Sequence, residues 1–237
     1  MKLPILMLCS AFALAAVSVA GCDSKKEGTP TGDEGTPTSE KTPEAKPVAT
    51  TGPLAGFDAT AELAHLNGKW NVKTRFGQKA PSVWTVENGA VTAVDGEKTT
   101  KGELKMDFPG RIKLVVKEKG GESSSHYSYT RNGDTLYLGL GAGGIKIGDV
   151  YFGSDSKGFA RFDGKACKFH ETKMSFGNKP VSFKPAADIT CKVEGSKFTY
   201  QTPKFGKDAG FEDRTLDIEG TALLSSQLKK NTITKAE

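Results

Sequence analysis

Val83-Trp84-Thr85-Val86-Glu87-Asn88-Gly89-Ala90-Val91-Thr92-Ala93-Val94 is the stretch that decides the fold class. β-Branched and aromatic residues run on both sides of Glu87-Asn88-Gly89. Asn-Gly is the pair a tight hairpin demands, because both turn positions take positive φ. The stretch therefore reads as two antiparallel strands. The same period of two appears on either side of it. Upstream, Trp70, Val72 and Thr74 alternate with Asn71, Lys73 and Arg75. Downstream, Ile112, Leu114 and Val116 alternate with Arg111, Lys113 and Lys117, which predicts one dry face and one wet face.

The pattern continues. Tyr127 and Tyr129 oppose His126, Ser128 and Thr130, a second hairpin turns at Arg131-Asn132-Gly133-Asp134, and Leu136, Leu138 and Leu140 follow on one face. After the glycine stretch 139–144, residues 145–152 read as one central strand, apolar on both faces. Further strands are expected near 158–163, 166–170, 181–184, 188–194, 197–202 and 214–219. Residues 221–230, with Leu223, Leu224 and Leu228, fit a closing helix as well as a strand. Many short strands separated by turns imply an all-β domain, a single antiparallel β-barrel or sandwich. One short helix precedes it over 57–66, where Asp58 is the N-cap and Leu63 and Leu66 stand at helical spacing.

A short helix followed by Gly68-Lys69-Trp70 resembles the opening of lipocalin-like barrels. In that family the tryptophan plugs the closed end and a late arginine packs over it. The resemblance implies a structural plug made of Trp70 and Arg214, although the family's Thr-Asp-Tyr motif is absent. It also implies a barrel mouth able to accept a small apolar molecule.

The N-terminus has the three parts of an export signal: Lys2, an apolar run from Leu3 to Val19, and small residues before a cleavage point. Val19-Ala20-Gly21-Cys22 resembles the lipobox of bacterial lipoproteins, which implies cleavage after Gly21 and acylation of Cys22. One acyl chain holds a protein only marginally, whereas several together anchor it stably. The expected organisation is a signal peptide over 1–21, a lipidated cysteine with a linker over 22–56, and a β-rich domain over 57–237. The linker is Thr, Pro, Glu, Gly and Lys, with Glu-Gly-Thr-Pro-Thr occurring twice, at 27–31 and 34–38. That composition buries too little apolar surface to offset chain entropy, so it predicts a disordered tether reaching about 30–35 Å. Asp23 implies inner-membrane retention under the enteric sorting rule, and other bacterial groups read other residues. The expected place is the bacterial cell envelope, with the domain in the periplasm or on the cell surface.

The net charge of +5 divides into +1 for the leader, −2 for the linker and +6 for the domain. The lysines are spread as expected for solvated strand faces, which also blocks edge pairing. Of the 4 cysteines, Cys9 leaves with the leader and Cys22 takes the lipid. Cys167 and Cys191, an even pair in an exported domain, are expected to bond to each other.

No catalytic constellation emerges. Gly139-x-Gly141-x-x-Gly144 satisfies a dinucleotide fingerprint only formally, because a strand rather than a helix follows. Ser123-Ser124-Ser125-His126 alternates along a strand and makes no nucleophile–base pair by itself. His65, His126 and His170 are scattered, and two cysteines make half a zinc site. Neither a recognition helix nor a dense basic stripe speaks for nucleic acid. The protein is thus expected not to be an enzyme, to need no cofactor or metal, and to meet the membrane through Cys22. The domain is expected to bind a small apolar or lipid-like ligand inside the barrel. The alternative is a filled barrel that serves as an envelope interaction or structural protein through its outer face.

Overall fold

The structure, a computed structural model, describes residues 51–73, 80–173, 175–204 and 210–237. Helix α1 (Ala59–Ala64) starts where Asp58 accepts hydrogen bonds from the Thr60 and Ala61 amides, at 2.9 and 3.0 Å. This is the expected cap. Then come β1 (Gly68–Val72), β2 (Ser82–Glu87), β3 (Ala90–Asp95), β4 (Lys98–Phe108), β5 (Arg111–Glu118), β6 (Gly121–Asn132) and β7 (Thr135–Gly139). The chain continues through β8 (Gly143–Ile147), β9 (Val150–Asp155), β10 (Gly158–Phe162), β11 (Cys167–Lys173), β12 (Ser182–Phe183) and β13 (Ala187–Asp188). It ends with β14 (Cys191–Glu194), β15 (Lys197–Pro203), β16 (Phe211–Glu219), β17 (Ala222–Leu224), a 3-10 turn (Leu228–Lys230) and β18 (Thr232–Lys235).

The protein is all-β, as its alternation predicts. Eight strands close an antiparallel barrel in the order β1-β18-β7-β6-β5-β4-β3-β2. The β2–β3 hairpin turns on Asn88 and Gly89, with φ of 50° and 86°. The barrel interior is filled with side chains. Trp84 and Tyr127 meet edge to face at 5.8 Å, and Tyr129, Leu138, Ile112, Val72 and Leu104 are each at most 2 % exposed. Trp70 belongs to this cluster, and its indole N–H donates to the Leu66 carbonyl at 2.7 Å, which fastens the end of the helical segment to the barrel.

A second sheet holds the other strands, in the order β12-β11-β10-β9-β8-β17-β16-β15-β14, with β13 beside β11. Its two sides nearly meet. The chain over 187–194 pairs first with β11, through Ala187, Asp188 and the Ile189 amide (3.1 Å to the Cys167 carbonyl). It then pairs with β15, through the Thr190 carbonyl (3.2 Å from the Gln201 amide) and β14. The Cys167–Cys191 disulfide joins β11 to β14 at this seam, as expected. Inside the curl, Phe198 stacks on Tyr151 at 5.3 Å and on Tyr200 at 5.6 Å. A Cβ at Gly153 would stand 2.6 Å from the Tyr200 ring, so only glycine lets the aromatic stack approach that strand.

The second sheet lies over the outer face of β5–β7, and this overturns the expectation of a wet face. Arg111, Lys113 and Val115 point away from the barrel core, yet are 8, 1 and 3 % exposed. Ser128 and Thr130 are fully buried, and their hydroxyls bond to the Gly141 and Gly144 carbonyls. Phe108 stacks on Phe159 at 5.5 Å across the junction. The glycine stretch is therefore a contact surface: a Cβ at Gly110, in the β4–β5 turn, would stand 2.9 Å from the Gly144 Cα.

Other expectations change. The single strand over 145–152 is two, β8 and β9, because Gly148 (φ 56°) and Asp149 turn the chain. The strand over 188–194 is divided between two neighbours at the seam. Of the two alternatives for residues 221–230, the structure forms a strand, β17, followed by a single 3-10 turn in place of a closing helix. Polar β4 and β18 went unforeseen, although β18 closes the barrel by pairing with β1 and β7. Residues 51–56, expected at the end of the linker, form turns, and Leu54 packs against Phe108, Ile145, Phe152 and Phe159.

Candidate functional site

The lipobox residues, Cys22 included, lie outside the described residues. Trp70 sits in the barrel core, 5 % exposed. Arg214 does not join it. It stands on β16 in the second sheet, where its Nη2 donates to Glu212 Oε1 at 2.8 Å and its Nε lies 3.9 Å from Asp155 Oδ2. The plug is thus Trp70 with Leu66. β16 and β1 belong to different sheets, a separation that one family pattern read along a linear sequence does not contain.

Arg214 instead borders a polar cavity of about 510 Å³ between the barrel and the second sheet. Arg111 forms one wall. It opens β5 after the Gly110 turn (φ 80°), and since Ile112 points into the barrel, Arg111 must point out, toward β8 and β9. Its Nη1 donates to Ser128 Oγ at 3.2 Å. Among the described residues it has no carboxylate within ion-pair distance. Burial pulls the guanidinium below the usual arginine pKa, and the fields of Asp155 and then Asp107 oppose this.

Asp155, at the end of β9, is 7 % exposed. Its Oδ1 accepts the Lys157 amide at 2.8 Å and its Oδ2 accepts the Thr202 hydroxyl at 2.9 Å. Nearby, Lys157 Nζ donates to Glu212 at 3.1 Å. That hydrogen bond, followed by the field of Arg214, holds the Glu212 carboxyl below its usual pKa. Ser225, Ser226 and Gln227, between β17 and the 3-10 turn, complete the opposite side together with Asp213.

A second polar cluster lies on the other side of Arg111. Lys113 Nζ stands 3.2 Å from Asp107 and donates to Ser175 Oγ at 2.8 Å and to the Lys179 carbonyl at 3.1 Å. His126 Nε2 is 3.5 Å from the other Asp107 oxygen and has no hydrogen-bond partner among the described residues. Of the serines beside it, Ser124 accepts the Gly177 amide at 3.3 Å. His170 stacks on Phe159 at 4.9 Å, and burial, then Arg161 and Lys168, lowers its pKa. His65 caps α1, so the three histidines occupy three separate places. Among the described residues, no three His, Cys, Asp or Glu side chains gather as a metal site, and no helix is long and apolar enough to cross a membrane.

The sequence reading missed Arg111 because alternation assigned it to water. Its only local signal is the Pro109-Gly110 turn, which aims the first residue of β5 without saying what covers it. No family model, curated protein or solved structure matches the chain.

Proposed function

We propose that the protein is a lipid-anchored component of the bacterial envelope, held by acyl chains on Cys22. Its β-rich head acts by binding at its outer surface, not by catalysis and not by enclosing a lipid. The observation that carries this reading is the packed barrel interior. To admit an apolar ligand, Trp84, Tyr127 and Tyr129 would have to leave a cluster in which they are 3, 9 and 1 % exposed. Vacating such space forfeits contacts that the close-packed core now makes. A small apolar ligand in the barrel, the expectation that follows from the lipocalin resemblance, therefore ranks second. The anchoring half rests on Val19-Ala20-Gly21-Cys22.

Two measurements test the two halves. In a bacterial host, the wild type should sediment with membranes, while Cys22→Ser should change in processed size and leave the membrane fraction. A variant unchanged in both respects refutes the anchor. Native mass spectrometry of protein from its own host should show no lipid-like molecule beyond the covalently attached acyl mass. A stoichiometric lipid-like molecule released on unfolding would overturn the outer-surface reading and restore the ligand-holding barrel.

A further inference from the structure

We propose that the cavity between the barrel and the second sheet binds a small polar molecule through a single carboxylate, with Arg111 as its anchor. The proposal deepens the outer-surface reading and rests on it, since the cavity lies outside the barrel. It does not depend on the lipid anchor.

A guanidinium that is 8 % exposed needs compensation for lost water. The protein supplies only part of it. Of the five donors, Nη1 is matched by Ser128 Oγ at 3.2 Å, and that hydroxyl is itself turned toward the Gly141 carbonyl. The two nearest acids are engaged elsewhere: Asp155 with the Lys157 amide and Thr202, and Asp107 with Lys113. Neither comes within ion-pair distance of Arg111. A buried planar fork facing a cavity and lacking a carboxylate of its own suits an incoming carboxylate, which it can hold with two parallel hydrogen bonds.

The remaining lining narrows the ligand. Arg214 adds a second positive charge, while Asp155 and Asp213 add two negative ones, so the walls nearly cancel. A phosphate dianion would gain from the arginines and lose to both aspartates. A monocarboxylate bearing hydroxyl or amino groups suits the mixture better. Ser226 and Gln227 make no side-chain hydrogen bond among the described residues, and so are available to such groups. About 510 Å³ is within the range of small-molecule sites.

Calorimetric titration of the whole domain tests this with four probes: sodium D-glucuronate, L-serine, D-glucose and inorganic phosphate. Glucuronate or serine should bind saturably, and glucose and phosphate at least tenfold more weakly. Which carboxylate binds better tells whether hydroxyls or an ammonium accompany the acid. Arg111→Gln should weaken binding about tenfold or more, the usual scale for losing charge-assisted hydrogen bonds. Because a buried arginine can also affect folding, Ser226→Trp provides the second variant. This exposed position borders the cavity, and the indole should fill it and abolish binding while the unfolding midpoint stays put. The proposal is overturned if neither carboxylate binds, if glucose or phosphate binds as well as they do, or if binding survives either variant in folded form. Such a failure would leave the filled barrel and the anchor standing. A lipid found inside the barrel would refute the outer-surface reading whatever the titration shows.

Discussion

Replacing Lys113 by alanine separates what alternation implies from what packing imposes. On a wet strand face the change would be worth no more than about 0.5 kcal/mol, as for most surface substitutions. In the folded protein Lys113 is 1 % exposed and makes three polar contacts, to Asp107 at 3.2 Å, Ser175 at 2.8 Å and the Lys179 carbonyl at 3.1 Å. Truncation strands the Asp107 carboxylate, whose side chain is 8 % exposed, and leaves His126, at 3.5 Å, as its ion-pair partner among the described residues. Breaking a buried pair from one side costs about 3–5 kcal/mol, because the uncompensated charge stays behind. For a domain of this size that lowers the thermal midpoint by roughly 6 °C or more. Urea and thermal unfolding of Lys113→Ala should show this, with exposed Lys117→Ala on the same strand as an unchanged control. The double variant Lys113→Met with Asp107→Leu should recover most of the loss, since apolar replacement of a buried pair is often neutral. A Lys113→Ala protein within about 1 kcal/mol of wild type would refute the claim that the β11–β12 connection and the second sheet seal this face.

Trp70→Ala should destabilise the domain by about 3–5 kcal/mol as a core deletion, whereas an unmoved denaturation midpoint would remove Trp70 from the core. Arg131 clamps Glu62 with two hydrogen bonds, at 2.9 and 3.0 Å, so Arg131→Ala should cost about 1–3 kcal/mol and free α1 from the barrel wall, visible as faster amide exchange over 59–64. Reducing the Cys167–Cys191 bond, whose partners are 24 residues apart, should lower stability by about 3 kcal/mol; reduction without effect would mean that the seam hydrogen bonds suffice alone. The Asp163 carboxylate accepts the Ala166 and Lys165 amides and pairs with Arg161, which holds its pKa down at about 2. Its stabilisation should therefore be present above the ordinary carboxylate range and fade as pH falls through about 2. An NMR titration midpoint near the ordinary value for Asp163 would contradict that geometry.

How far the molecule could be read in advance depended on the range of the interaction. The cap at Asp58, the Asn88-Gly89 and Gly133-Asp134 turns and most strands are visible in the sequence, because each is decided by residues a few positions apart. The disulfide was legible by counting. The Gly148-Asp149 turn carried a readable signal that the surrounding apolar run concealed. Polar β4 and β18 carried little, since they are strands mainly because their neighbours offer them hydrogen-bond partners.

By itself, then, the sequence determined an all-β chain, the inward face of β1, β5, β6 and β7 and the pairing of Cys167 with Cys191. Only the tertiary structure decided that there are two sheets, that the second covers the outer face of β5–β7, and that 187–194 seams its edges. It alone turned Arg111 and Lys113 from surface charges into buried ones. The physical reason is that a period of two separates the faces of a strand but carries no information about what lies against the second face. That is settled by strands far away in the chain, whose approach depends on small residues such as Gly110 and Gly144 in ways no local pattern records.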